Sequence, residues 1–152
     1  DNPPIRLEYA PMKIIKKKVY DNLSVDKQNN DNFLLITGKN KKEFILNKYK
    51  TFKTYGKQRI KLSPVINKVI NIWLYYNKSD YLLLNKNMDP LQTNGLTRLI
   101  NSVFEPTGKL ISASMIRHIF ISEVFPPDKK KREDIAKLMQ HSITTQSDYA
   151  KE

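Results

Sequence analysis

A chain of 152 residues suffices for one hydrophobic core and is short for two, so a single domain spanning residues 1–152 is expected. Its 27 Lys and Arg outnumber 15 Asp and Glu for a net charge of +12, which favours a polyanionic partner; residues 1–62 alone hold 15 basic and 6 acidic side chains. Cysteine is absent, which excludes disulfides, a thiol nucleophile and Cys-ligated zinc, and no run approaches the ~18 apolar residues of a membrane span, so an intracellular protein with no membrane partner is expected.

In chain order, Pro3-Pro4 opens the sequence, and Ile5, Leu7, Tyr9 and Met12 follow among basic residues. Pattern alone favours a solvated Arg6 over a ligand-facing one. Residues 32–62 alternate strand-like apolar runs with Gly and Lys turns, near Gly38-Lys39-Asn40 and Lys53-Thr54-Tyr55-Gly56, which predicts a three-stranded antiparallel meander. Its loops carry Lys39, Lys41, Lys42, Lys50, Lys53 and Lys57. Such loops suit contact with phosphates, although edge lysines also serve simply to keep strands from aggregating.

Ser63-Pro64 supplies a cap and a first helical residue, and Val65, Ile66, Val69, Ile70, Trp73 and Leu74 recur at helical spacing to about Tyr76. Trp73 reads as a core residue. A second helix is expected over Gly95–Phe104, capped by Thr93 or Asn94 and ended by Glu105-Pro106-Thr107-Gly108. A third begins at Ser112 or Ser114, with Met115, Ile116, Ile119, Phe120 and Val124 inward and Arg117 bordering that stripe. Pro126-Pro127 breaks it, Asp128–Arg132 forms a charged turn, and a fourth helix of roughly Lys131–Gln140 buries Ile135, Leu138 and Met139.

Both histidines of the chain, His118 and His141, fall between Ser114 and Tyr149, in a window reading SMIRH, then LMQHSITTQSDY. The order of Arg117, His141 and Tyr149 on a helical background resembles the catalytic end of the tyrosine recombinases, the phage-integrase family, and the resemblance covers essentially the whole chain. It implies an α+β, mainly helical fold in which a small three-stranded antiparallel sheet packs beside a bundle of helices. It also implies a catalytic set. Arg6 in PPIRLEYA matches the family's first arginine, Arg117 the second, His141 the downstream histidine and Tyr149 the nucleophile. Lys50 in YKTFKTYGKQRIKLSP matches the hairpin lysine, with Lys53 and Lys57 as fallbacks. Lys39, Lys41 and Lys42 are implied contacts to the DNA backbone.

The sequence departs from the family pattern in places. Ser114 stands where a histidine is common, three residues before Arg117, and the interval from His141 to Tyr149 is one residue short. His118 reads as a structural histidine. The family's N-terminal DNA-clamping domain and C-terminal tail are missing from this stretch, so the resemblance implies an isolated catalytic domain of a viral or mobile-element integrase.

The chemistry implied is attack of the Tyr149 hydroxyl on a phosphodiester, which conserves the bond as a 3′-phosphotyrosyl link and needs no cofactor or metal. Double-stranded DNA is the implied partner, with a homotetramer on DNA, a domain that is monomeric alone, and a nuclear or viral DNA compartment as the setting. Two other readings use the same features: a type IB topoisomerase, which lets the cut duplex swivel, and a non-catalytic basic DNA-binding module. A metal-dependent integrase would need three converging carboxylates, which the acidic residues do not suggest.

Overall fold

The structure, a computed structural model, describes residues 4–124 and 129–139. His141 and Tyr149, the Pro126-Pro127 break and Gln140 lie outside the described residues. The chain divides into two compact units, Glu8–Gln92 with Asp1–Asn2, and Pro3–Leu7 with Thr93–Glu152.

The first unit is built on a four-stranded sheet in the order β1 (Lys13–Lys16), β2 (Phe33–Gly38), β3 (Lys41–Leu46) and β4 (Gln58–Lys61). Strands β2 to β4 are the antiparallel meander expected from residues 32–62. The sheet differs from expectation in its fourth strand, β1, which pairs parallel with β2 from Lys13↔Phe33 to Lys16↔Ile36. Two short helices, α1 (Lys17–Asp21) and α2 (Val25–Asn29), make the crossover that a parallel pair requires.

Burial on both faces explains why β2 is a continuous apolar run: consecutive Phe33, Leu34 and Leu35 point alternately to opposite sides, and all are buried. On one face Phe33, Leu35 and Ile45 form a core with Tyr20 of α1, whose ring meets Phe33 edge-on at 5.4 Å. On the other, Phe44 of β3 pairs with Leu34 and Ile60 and meets the Tyr9 ring edge-on at 5.0 Å. Burial pushes the Tyr9 hydroxyl well above the usual tyrosine range, so it stays protonated.

Between β3 and β4 lies a third short helix, α3 (Phe52–Tyr55), where a plain turn is expected. The following helix, α4 (Pro64–Tyr76), matches the sequence reading at both ends. Ser63 is its cap, with Oγ accepting from the Ile66 amide at 3.3 Å. Ser63→Ala is expected to cost about 1 kcal/mol, read as a lower urea midpoint at unchanged slope. The inward face of α4 is not the expected one. Ile66, Asn67, Ile70, Asn71 and Leu74 turn inward, whereas Val65, Val69 and Trp73 are exposed. Apolar residues lie on two sides of this helix, so spacing alone could not choose between them.

The second unit carries α5 (Thr93–Phe104), α6 (Ala113–Val124) and α7 (Lys129–Leu138). A 3-10 turn at Glu105–Thr107 and Gly108, at φ 68°, end α5 as the Glu-Pro-Thr-Gly sequence suggests. Ser112 caps α6, with Oγ accepting from the Met115 amide at 3.1 Å. In α6 the buried positions are Arg117 and Ile121, one turn apart, while Met115 and Ile119 are exposed. The basic run Lys129–Arg132 is the first turn of α7 rather than a loop, and Ala136 and Met139 are buried, whereas Ile135 is half-buried and Leu138, expected inside, is exposed. Among the described residues the protein is therefore mixed α/β, with a four-stranded sheet and seven α-helices.

Candidate active site

Arg117 is the most unusual side chain of the second unit. It is 2% exposed, among the largest fully buried residues of the chain, at the centre of the inward face of α6 rather than at its border. Its Nη2 donates to Ser114 Oγ at 3.1 Å, a bond between residues one helical turn apart. A guanidinium never gives up its proton at accessible pH, so folding must enclose a permanent cation here. Such burial is costly unless oriented partners or an anion meet the charge.

Arg6 belongs to the same unit as Arg117, although more than a hundred residues separate them in sequence. It follows the buried Ile5 and is itself half-buried, with its Nε enclosed and without a hydrogen bond. The solvated arginine that pattern alone favours is therefore not what the fold produces. His118, the neighbour of Arg117, is half-buried.

Lys50 lies in the first unit, on the hairpin loop between β3 and β4, and is exposed. The loop is braced at its root. Asn32 Oδ1 accepts from the amides of Asn47 and Lys48 at 2.9 and 2.8 Å, and its Nδ2 donates to Lys48 O at 2.9 Å. Buried Asn47 donates in turn to Gln28 O and Asp31 O at 2.6 and 2.8 Å. Across the loop the Tyr49 hydroxyl donates to Gly56 O at 2.5 Å, and Gly56 adopts φ 63°, ψ −161°, a region closed to residues with a Cβ. Lys50 thus projects an exposed ammonium from a hydrogen-bonded base. Nothing in the sequence singles out Asn32 and Asn47 from the other asparagines; only the fold reveals them as braces.

The fallback lysines differ from Lys50. Lys53 is exposed on α3, whereas the Lys57 ammonium lies over the Tyr20 ring, 5.3 Å from its centroid. Of the lysines expected to touch the DNA backbone, Lys39 and Lys41 are exposed. Lys42 is not available for that role. It is 3% exposed, and its Nζ donates to Lys39 O at 2.7 Å and to Asn71 Oδ1 of α4 at 2.6 Å. Strand alternation is the reason: Lys42 shares the inward face of β3 with Phe44 and Leu46.

Burial holds the Lys42 ammonium below the usual lysine range. The unfolded chain then binds more protons than the folded one between that lowered value and the ordinary ~10.4, so stability should rise with pH through this alkaline window. Lys42→Met should abolish that rise. At neutral pH it should cost about 1–3 kcal/mol, because Asn71 Oδ1 and Lys39 O lose a charged donor. Urea unfolding at neutral and alkaline pH checks both.

No protein-family model and no curated protein matches the sequence. Among solved structures the chain is similar to the crystal structure of XerA recombinase, with a TM-score of 0.56 and 16% sequence identity over 95% of this chain and 49% of that one. It therefore spans about half the length of that recombinase. At this identity the likeness establishes architecture and nothing finer: the chain has a recombinase-like mixed α/β fold.

Proposed function

We propose that this chain is the catalytic domain of a DNA breaking-and-rejoining enzyme of the tyrosine recombinase kind. The observation that carries the reading is the seat of Arg117, a permanent cation enclosed on the inward face of α6 and hydrogen-bonded to Ser114. Half-buried Arg6 in the same unit, the net charge of +12 and the recombinase-like fold support it.

In this mechanism the Tyr149 hydroxyl attacks the scissile phosphorus, the bond from phosphorus to the 5′-oxygen breaks, and a 3′-phosphotyrosine forms. The phenol proton passes to solvent, Lys50 gives the departing 5′-oxygen its proton, and Lys50 is reprotonated from solvent, so the protons balance. Arg6 and Arg117 hold the non-bridging oxygens with planar paired donors, and His141 donates a further hydrogen bond. Attack by a 5′-hydroxyl reverses the step and releases the tyrosine. Cutting two strands in each of two duplexes calls for four copies, so the enzyme acts as a homotetramer on double-stranded DNA, in the compartment where a mobile or viral DNA recombines.

The test is a nicked suicide duplex that loses its 5′-hydroxyl fragment after cleavage, incubated with the protein in chelator. A covalent protein–DNA adduct that survives denaturing electrophoresis is the expected result. An obligatory need for magnesium would overturn the mechanism. Salt-sensitive DNA binding without any adduct would leave a basic DNA-binding module in its place.

A further inference from the structure

Helix α4 presents an apolar face to solvent as well as to its own unit. Val65, Val69, Ile72 and Tyr76 are 62%, 57%, 60% and 71% exposed. At ~100° per residue these four fall within an arc of about 60°, a continuous stripe along a helix roughly 20 Å long. The helix cannot roll to bury it. Asn67 Nδ2 donates to Leu62 O at 2.8 Å, Lys42 Nζ to Asn71 Oδ1 at 2.6 Å, Trp73 Nε1 to Leu82 O at 2.7 Å and Asn77 Nδ2 to Tyr81 O at 2.8 Å. These ties fix the azimuth of the helix and hold the stripe outward.

The charges borne by α4 and its immediate flanks are of one sign, and Asp80 follows just beyond them. From Gln58 to Ser79 the sequence carries Arg59, Lys61, Lys68 and Lys78 and no carboxylate. Exposed Lys68 lies along one edge of the stripe, and the Lys78 ammonium lies 5.3 Å from the Tyr75 ring centroid. Arg59 is already paired with Glu43 at 2.9 Å. A second copy docked on this face would set the same lysines against each other on a chain of net charge +12, a juxtaposition that repels. An acidic partner meets no such penalty.

We propose that the outer face of α4 docks an amphipathic helix of a partner protein, one that carries acidic residues beside its apolar stripe. The partner's anchors at i, i+3, i+4 and i+7 lie over Val65, Val69, Ile72 and Tyr76, while its carboxylates reach Lys68 and the lysines at the two ends of α4. None of the residues assigned to strand cleavage belongs to this stripe, so the test does not depend on that chemistry.

The experiment titrates the full chain with a designed 18-residue helical peptide bearing leucines at that spacing and glutamates on both flanks, followed by fluorescence anisotropy. Saturable binding is expected, weakened at least tenfold by Val69→Ser with Ile72→Ser and at least tenfold when lysines replace the peptide's glutamates. The double variant should melt at the wild-type temperature, because both side chains are exposed. No saturable binding, or equal binding by the variant or the lysine peptide, overturns the proposal. So would a melting point several degrees lower, wild-type self-association that the variant loses, or preferential cosedimentation with phosphatidylserine vesicles.

Discussion

Tyr149→Phe is expected to remove the covalent adduct on a nicked suicide duplex altogether. The substitution deletes one oxygen and keeps the ring, so DNA affinity should be unchanged and only the attacking atom is lost. Selectivity makes the result informative. The chain has eight tyrosines. Tyr20 packs its ring against Phe33 in the core of the first unit, whereas Tyr75 and Tyr76 on α4 are accessible phenols. Tyr75→Phe and Tyr76→Phe should therefore leave adduct formation at the wild-type rate. If either removes the adduct and Tyr149→Phe does not, the nucleophile has been misassigned. The measurement is single-turnover transfer of labelled DNA to protein, with duplex affinity recorded in parallel.

Arg117 carries the second large effect. Arg117→Lys keeps the charge and loses the planar fork, and it should slow adduct formation by about 100- to 1,000-fold, the usual consequence of removing a fixed donor to a developing oxyanion. Arg117→Ala should be at least as slow, but a nearly fully enclosed side chain cannot be truncated without a packing cost as well. The lysine variant is thus the cleaner test, with thermal unfolding measured beside the rate. A rate within a few-fold of wild type for Arg117→Lys would remove this arginine from the transition state. Arg6→Ala provides the matching measurement at a side chain that is only half-buried.

Local rules carried the sequence reading a long way where the signal was itself local. Ser63-Pro64 announced α4 because a cap hydroxyl and a proline at the first helical position act within one turn, and the bounds follow at Pro64–Tyr76. The meander β2–β4 was legible because each apolar run is closed by Gly- and Lys-rich turns. Strand β1 was hidden by the same logic. Lys13–Lys16 reads as two isoleucines among lysines, and what makes it a strand is a parallel partner twenty residues away across α1 and α2.

The side that each helix buries was beyond periodicity. Helix α4 has apolar residues around much of its circumference, and α6 has Met115 and Ile119 on one side and Ile121 on another; both contain two acceptable stripes. Tie-breaking came from polar contacts distant in sequence, such as Lys42 to Asn71. The same applies to the lysines, where one residue's difference in strand register separates exposed Lys41 from buried Lys42.

The sequence by itself determined the composition of a basic, cysteine-free protein, the limits of α4, the antiparallel meander and the residue types offered for phosphate chemistry. Those features are written in charge, caps, turns and spacing, which act over a few residues. Only the tertiary structure decided that Arg117 is enclosed, that Arg6 is half-buried in the same unit, that Lys42 is a tie and that α4 keeps an apolar face in water. Burial is set by whatever the rest of the chain places against a side chain, and no local pattern contains it.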